Sequence, residues 1–117
     1  MGRLTEVVAE LAGREGVQAV VVLSADGLAI QQVARESLDA DSLAALTASV
    51  VQYAGRLGTG AAAGAFRTGV LEYERRLVII AQVGSGESLA ILAAPTADVG
   101  PLLYDLQQQR PALAALF

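Results

Sequence analysis

The segment VQAVVVLSADGLAIQQV, residues 17–33, decides the fold. Its first half, Val17 to Leu23, is rich in β-branched residues, which favour a strand. Ser24-Ala25-Asp26-Gly27 interrupts this run, and Asp-Gly between two apolar stretches is a strong signal for a tight turn. Leu28 to Val33 then supplies a second strand. The segment therefore predicts a β-hairpin in the first third of the chain.

Helical patterns flank this hairpin on both sides. A first helix, from about Leu4 to Ala12, is predicted by apolar residues at helical spacing, which are Leu4, Val7, Val8 and Leu11. After the hairpin, Asp39 and Asp41 offer N-caps for a long second helix, from about Ser42 to Leu57. The next segment, Gly58 to Gly64, has turn or loop character, although its alanines would also let the helix continue.

The remaining residues predict three more strands and a last helix. The strands run from about Thr68 to Tyr73, Arg76 to Val83 and Ser88 to Ala94, and Gly84-Ser85-Gly86 joins the last two as a hairpin. Asp98 is placed to cap the last helix, and Pro111 is expected to stop or kink it. The predicted order is αββαβββα, an α+β fold, in a single domain over residues 1–117.

Composition excludes many functions. The 117 residues carry a net charge of −4, and all eight basic residues are arginines. Without a long basic run or a membrane-length apolar run, we expect no nucleic-acid partner, no membrane partner and a cytoplasmic location. Cysteine, histidine and lysine are absent, which removes thiol nucleophiles, histidine-assisted attack and Schiff bases. We therefore expect a protein that is not an enzyme and needs no cofactor. The mean hydropathy of +0.50 is high for a small soluble domain. We therefore expect another protein to cover part of its apolar surface.

The second helix is the most informative element, because Ser42 to Gly55 contains no charged residue. A helix that lies on a sheet with its back to water normally carries charges on its outer face. We therefore expect another protein to cover part of this helix, although an alanine-rich helix can also reflect helix propensity alone. At 3.6 residues per turn the helix presents three stripes.

The three stripes receive different predicted roles. We assign to the core a large apolar stripe, composed of Leu43, Leu46, Val50 and Leu57. We assign to a second copy of the helix, in a homodimer, a stripe of small residues, composed of Ala44, Ala48, Val51 and Gly55. We expect partial exposure for a polar stripe, composed of Ser42, Ala45, Ser49, Gln52 and Arg56. On this assignment, a glutamate at position 48 should break the dimer.

The strand from Thr68 to Tyr73 is a second candidate for self-association. It follows a flexible loop and is a candidate edge strand, and one of its faces carries Thr68, Val70 and Glu72. An exposed edge invites pairing with an identical strand, whereas the charged neighbours Glu72, Glu74, Arg75 and Arg76 would equally serve to prevent it. We include Thr68, Val70 and Glu72 in the predicted dimer interface.

These patterns resemble the roadblock/dynein-light-chain family, and within it the bacterial MglB-like branch. The residues that carry the resemblance are the hairpin from Val20 to Ile30, the long helix of small residues and the final hairpin from Leu77 to Leu92. The resemblance implies a five-stranded antiparallel sheet with the middle helix on one face and the terminal helices on the other. It also implies dimerisation through third strands and middle helices, and binding to a Ras-like small GTPase of the MglA type, whose GTP hydrolysis MglB-type proteins promote. Carried over, the partner surface is the polar stripe of Ser42, Ala45, Ser49, Gln52 and Arg56.

Several motifs have competing interpretations. Gly58-Thr59-Gly60 follows a helix instead of a strand, which argues against a phosphate cradle. The carboxylate pairs Asp39/Asp41 and Glu72/Glu74 are better explained as helix caps and a solvated face than as acid/base pairs. An arginine supplied in trans to a GTPase is a further hypothesis, with Arg56, Arg67, Arg75 and Arg76 as candidates.

Two alternative functions of the whole protein stay open. One is a small-ligand sensory domain, and the other is a scaffold subunit without a GTPase partner.

Overall fold

The computed structural model describes residues 2–117, and its elements follow the predicted order. Met1 lies outside the described residues. The helices and strands are α1 (Gly2–Ala12), β1 (Val17–Leu23), β2 (Ala29–Ala34), α2 (Ala40–Gly60), β3 (Thr68–Glu72), β4 (Leu77–Gln82), β5 (Ser88–Ala93) and α3 (Val99–Ala114). The α+β class and the αββαβββα order are confirmed.

The five strands form one antiparallel sheet in the order β2-β1-β5-β4-β3. The predicted turn between β1 and β2 is confirmed, because the Gly27 N–H donates to the Ser24 carbonyl at 2.9 Å and Gly27 has a φ of +82°. A residue with a side chain rarely adopts that φ. β5 is the central strand, β1 and β4 flank it, and β2 and β3 are the edges of the sheet. The sheet therefore ends on one side in the strand that the sequence marked for self-association.

The helices cover the two faces of the sheet as predicted. α1 and α3 pack on one face, where Val8 and Leu106 join sheet residues such as Ile79 and Ile91 in the larger core. α2 packs on the other face in a smaller cluster with β1 and β5, through Ala40 and Ala44. Within residues 2–117, α2 is therefore the one helix on its face of the sheet.

The start of α2 follows the predicted capping, and its end extends beyond the prediction. The Asp39 carboxylate accepts a hydrogen bond from the Ser42 N–H at 3.1 Å, so Asp39 is the N-cap. The helix continues to Gly60, so the alternative in which the helix runs past Leu57 is the one observed. The chain then folds back so closely that a Cβ on Gly58 would lie 2.5 Å from the Gly64 carbonyl oxygen. Glycine at position 58 therefore permits the reversal.

Two expectations for α3 need correction. Pro111 does not end the helix, which continues to Ala114. Proline removes one N–H donor from the helix, while the buried Leu113 still anchors the last turn to the core. Asp98 occupies the N-cap position, yet its side chain makes no capping hydrogen bond.

The predicted faces of α2 are the reverse of those observed. Ala44, assigned to a dimer interface, is fully buried against the sheet, whereas three members of the stripe assigned to the core are exposed, namely Leu46, Val50 and Leu57. The small residues let the helix lie close to the β1–β2 turn, where a Cβ on Gly27 would be 3.1 Å from the Ala45 Cα atom. The assignment of Ala44 to a contact with a second copy is therefore wrong.

Candidate protein-interaction surface

The outer part of α2 carries an apolar face that nothing in the described part of the chain covers. Its members are Leu46, Val50, Tyr53 and Leu57, which we call the apolar face of α2. Their exposed fractions are 64%, 39%, 64% and 73% in that order. They follow one another at intervals of four, three and four residues, the spacing that lets one helix pack along another. Burial of the exposed part of each side chain would contribute at most about 1.5–3 kcal/mol.

The apolar face of α2 lies on the same side of the sheet as part of β3 and β4. Leu71 pairs directly with Val78, and both are half-buried. They share a face with Ile80, because side chains alternate along a strand and Ile79 points to the other core. The apolar surface therefore combines a helix with an adjoining part of the sheet.

The predicted polar stripe is exposed at every position, and we call it the polar face of α2. Its members are Ser42, Ala45, Ser49, Gln52 and Arg56. The Ser49 hydroxyl donates to the Ala45 carbonyl at 3.3 Å, which keeps it on the helix surface. The Arg56 guanidinium lies 5.1 Å from the centre of the Tyr53 ring, a cation–π distance. Arg56 therefore joins the apolar and polar faces.

A groove of about 560 Å³ runs beside the polar face. The wall formed by α2 includes Ala45, Ser49 and Gln52. The opposite wall consists of the two hairpin turns, including Asp26 and Ser85. Its polar groups come from serines, glutamines and one aspartate, so it is suited to hydrogen bonding with a partner or ligand.

The other members of the predicted small stripe are half-buried. Ala48 packs against the smaller core cluster, and Val51 and Gly55 are half-buried. A Cβ on Gly55 would meet no atom within 4 Å. Their assignment to a dimer interface stays a prediction, but the observed orientation makes the apolar face of α2 the better candidate.

The predicted interface residues of β3 lie at the sheet edge. Val70 pairs with Ile79, so Thr68, Val70 and Glu72 share the face that α3 covers. Val70 and Glu72 are exposed. They therefore lie on the free edge strand, with their side chains on the opposite side of the sheet from α2.

Arg110 on α3 makes contacts at the β3 edge that the sequence did not predict. Its Nη2 donates to the Thr68 Oγ1 at 2.8 Å, and its Nη1 donates to the Gln82 carbonyl. Burial, and secondly the positive charge of Arg67, lower the pKa of Arg110 below its usual value. Arg110 follows Leu103 and Gln107 at helical spacing, which places the three residues on one side of α3. This spacing was the sequence signal that could have identified Arg110.

The arginines considered for a role in trans have different surroundings. Arg76 forms an ion pair with Glu36 at 3.0 Å, whereas Arg75 is exposed in the turn between β3 and β4. Among the carboxylates, Asp39 serves as a cap, and within residues 2–117 no three acidic residues cluster closely enough to hold a metal ion. No helix in this part of the chain has the length and apolar character needed to cross a bilayer.

The fold and the uncovered faces of α2 define a small α+β interaction module. The chain belongs to the Roadblock/LC7 domain family, whose model matches residues 3–93, from α1 to the end of β5. The resemblance noted from the sequence is therefore confirmed. Among curated proteins, none matches the chain.

Solved structures with this fold include a Roadblock/LC7 domain from Streptomyces avermitilis, which is 29% identical with a TM-score of 0.81. That match covers 93% of this chain and 96% of the other. MglB from Myxococcus xanthus is 21% identical, with a TM-score of 0.89 and coverage of 98% and 94%. The gliding protein MglB from Thermus thermophilus is 20% identical, with a TM-score of 0.86 and coverage of 97% and 87%.

Proposed function

We propose that this protein is a homodimeric, non-catalytic interaction module that binds and regulates a Ras-like small GTPase. The observation that carries the proposal is the division of α2 into two uncovered faces, one apolar and one polar. A single helix that exposes Leu46, Tyr53 and Leu57 on one side and the polar face of α2 on another can contact two partners. The two faces are therefore assigned to two different partners.

The apolar face of α2 is assigned to the second copy of the chain. Two copies related by a two-fold axis would bring their α2 helices together, and the 4-3-4 spacing from Leu46 to Leu57 allows their side chains to interdigitate. The adjoining half-buried pair Leu71 and Val78 would be covered in the same step. Membership of the family, for which the resemblance implies dimerisation through middle helices and third strands, supports this arrangement.

The polar face of α2 is assigned to the GTPase. Ser49 and Gln52 lie about 100° and 160° around the helix axis from Val50, so they point away from the centre of the apolar face. The neighbouring groove offers hydrogen-bonding groups from the hairpin turns. The resemblance implies a Ras-like GTPase of the MglA type as the ligand. Binding would stimulate GTP hydrolysis by ordering the GTPase's own residues.

The test is a binding titration with the MglA-type GTPase of the same organism, loaded with GDP or with a GTP analogue. Gln52→Arg should weaken the complex by about tenfold or more, because a charge enters the centre of the surface. Gln108→Arg is the matched control, since Gln108 is exposed on α3 at the other face of the sheet. GTP hydrolysis measured with and without the protein reports regulation.

The outcome that contradicts this function is a dimer that forms no complex with the GTPase in either nucleotide state. That result would favour the scaffold subunit. Equal weakening by Gln52→Arg and Gln108→Arg would instead contradict the assignment of the polar face.

A small-ligand sensory domain is the second candidate, and the groove beside α2 favours it. Its volume of about 560 Å³ lies in the range of ligand sites, and Ser24, Asp26 and Gln52 converge on it. Native mass spectrometry of the protein purified without denaturation tests this candidate. An adduct of constant mass that is lost on Ser49→Trp would support a ligand, and unmodified protein would contradict it.

A further inference from the structure

The free edge of β3 has a defined pattern of backbone groups. The Gln82 N–H donates to the Arg67 carbonyl at 2.9 Å, and the Tyr73 N–H donates to the Arg76 carbonyl at 3.0 Å. In an antiparallel pair the hydrogen-bonded residues alternate with residues whose N–H and C=O point away from the neighbour. The residues of β3 that direct both groups to the free edge are therefore Thr68, Val70 and Glu72.

The α3 side of this edge is electropositive at one end. Arg110 and Arg67 line one groove, and neither forms an ion pair with a carboxylate of residues 2–117. Arg110 uses Nη1 for the carbonyls of Gln82 and Arg67 and one hydrogen of Nη2 for Thr68, so the other Nη2 hydrogen and the Nε hydrogen stay available. The groove therefore offers donors and positive charge to a carboxylate.

Glu72 lies at the other end of the strand on the same face. It is exposed and makes no hydrogen bond or ion pair within the described part of the chain. Arg67 and Arg110 therefore lie near the beginning of β3 in each copy, and the carboxylate of Glu72 lies at its end. An antiparallel copy of this strand would reverse that order and place opposite charges together.

Two-fold symmetry restricts how two β3 strands can pair. The outward residues must face one another, so the pairing can be centred on Gly69, Val70 or Leu71. Only the pairing centred on Val70 uses every outward residue of β3. It sets Val70 opposite Val70 of the partner subunit and Thr68 opposite Glu72 of the partner subunit. The other two centres leave outward backbone groups of the strand unpaired.

We propose that β3 pairs with its copy in the register centred on Val70, so that Glu72 of the partner subunit completes the arginine site of Arg110 and Arg67. The inference rests on the proposed dimer and specifies its register and its charged contact. Directly opposed residues in hydrogen-bonded pairs have Cα atoms about 5.5 Å apart. The partner's Glu72 therefore arrives beside Thr68, whose hydroxyl already accepts from Arg110.

The other face of the paired strands agrees with this register. Gly69 lies opposite Leu71 of the partner subunit, so the leucine side chain covers the position where Gly69 has none. A register centred on Leu71 would set Glu74, in the turn after β3, opposite Thr68 of the partner subunit. A register centred on Gly69 would carry the carboxylate of Glu72 past the end of the partner's strand. The register centred on Val70 is therefore compatible with the side chains on both faces of the paired strands.

Cysteine substitution tests the register directly, because the chain contains no cysteine. Under mild oxidation, Val70→Cys should form a disulfide-linked dimer, since a disulfide spans Cα separations of about 4.4–6.8 Å. Gly69→Cys and Leu71→Cys should link at least about tenfold more slowly, because each copy of those residues lies diagonally across the axis at about 7–8 Å.

Each crosslinking result supports or overturns the register. Fastest linkage at position 69 or 71 would leave the dimer in place and overturn the register. A dimer that links at none of the three positions would also overturn it. A protein that stays monomeric at every concentration would overturn both the register and the proposed dimer, so the two failures are distinguishable.

Charge reversal tests the arginine site. Glu72→Arg should raise the dissociation constant of the dimer by about tenfold or more, because two symmetric ion pairs become repulsive. The control is Glu74→Arg, which reverses a charge in the adjoining turn and should change the constant by less than about threefold. Adding Arg67→Glu to Glu72→Arg should restore part of the affinity. If Glu72→Arg leaves the dissociation constant of the dimer unchanged, the contact between Glu72 and the two arginines is wrong. Arg67 and Arg110 would then be candidates for binding an acidic group of a different protein.

Discussion

Ala44 and Leu46 lie two positions apart on α2, yet Ala44 is fully buried under the helix and Leu46 is 64% exposed. Two such residues on a helix are separated by about 200° around the axis, so one must face away when the other faces the sheet. The small side chain is the one that faces inward. This orientation brings the helix close to the sheet and leaves the larger apolar side chains free for a partner.

The first prediction contrasts Ala48→Glu with Leu46→Glu. The Ala48 methyl carbon would lie 3.2 Å from a Cβ on Gly27, so Ala48 has little room between helix and turn. We expect Ala48→Glu to lower the free energy of unfolding by about 1–3 kcal/mol, because a charge enters a half-buried apolar site. Leu46→Glu should leave the monomer fold intact and abolish the dimer. Urea unfolding and light scattering on both variants distinguish the two effects.

The outcome for these variants decides which face of α2 associates. If Leu46→Glu stays as dimeric as the wild type, the apolar face is not the interface. If Ala48→Glu folds with wild-type stability and becomes monomeric, the small stripe would regain the role that the sequence gave it.

The second prediction concerns two glycines of α2. Gly55→Ala should raise the free energy of unfolding by about 0.5–1 kcal/mol, because alanine favours a helix and the new Cβ meets no atom within 4 Å. Gly58→Ala should lower it by about 1–3 kcal/mol, because its Cβ would press on the Gly64 carbonyl oxygen. Thermal unfolding monitored by circular dichroism measures both. A weaker dimer in Gly55→Ala would contradict the orientation of α2 proposed for the dimer.

The third prediction concerns the turn between β1 and β2. Gly27→Ala should lower the free energy of unfolding by more than the roughly 1–2 kcal/mol expected for alanine at a positive φ. The excess arises because its Cβ would lie 3.1 Å from the Ala45 Cα atom. Gly64→Ala is the matched control, with a φ of +86° and no atom within 4 Å of the added Cβ. Equal losses in the two variants would show that α2 does not press on the turn.

The fourth prediction concerns the link between α3 and the β3 edge. Arg110→Met should lower the free energy of unfolding by about 1–3 kcal/mol, because the Gln82 carbonyl and the Thr68 hydroxyl lose a charged donor. Hydrogen exchange in β3 should become faster. Arg75→Met, at an exposed position in the turn after β3, should change stability by less than about 0.5 kcal/mol. Unchanged exchange in β3 of Arg110→Met would show that the helix does not hold the strand.

The sequence predicted the fold well because its signals are local. The β-branched run before Ser24, the Asp26-Gly27 turn and the Asp39 cap each act within a few residues. The predicted β1 matches the observed strand from Val17 to Leu23. The errors at the ends of elements, such as the passage of α3 through Pro111, arise where a buried neighbour outweighs a local signal.

The candidate site was only partly predictable. The absence of charge from Ser42 to Gly55 and the exposed polar face, including Ser49 and Gln52, followed from the sequence. Arg110 did not, because its partners Thr68 and Gln82 are distant along the chain and only the packing of α3 brings them together.

The sequence by itself determined the order of elements and the division of α2 into a large, a small and a polar stripe, since periodicity depends only on residue spacing. The tertiary structure decided which stripe faces the sheet. Close approach of α2 to the Gly27 turn leaves room for Ala44 and not for Leu46. That choice depends on the distance between a helix and a sheet, which no pattern within the helix specifies.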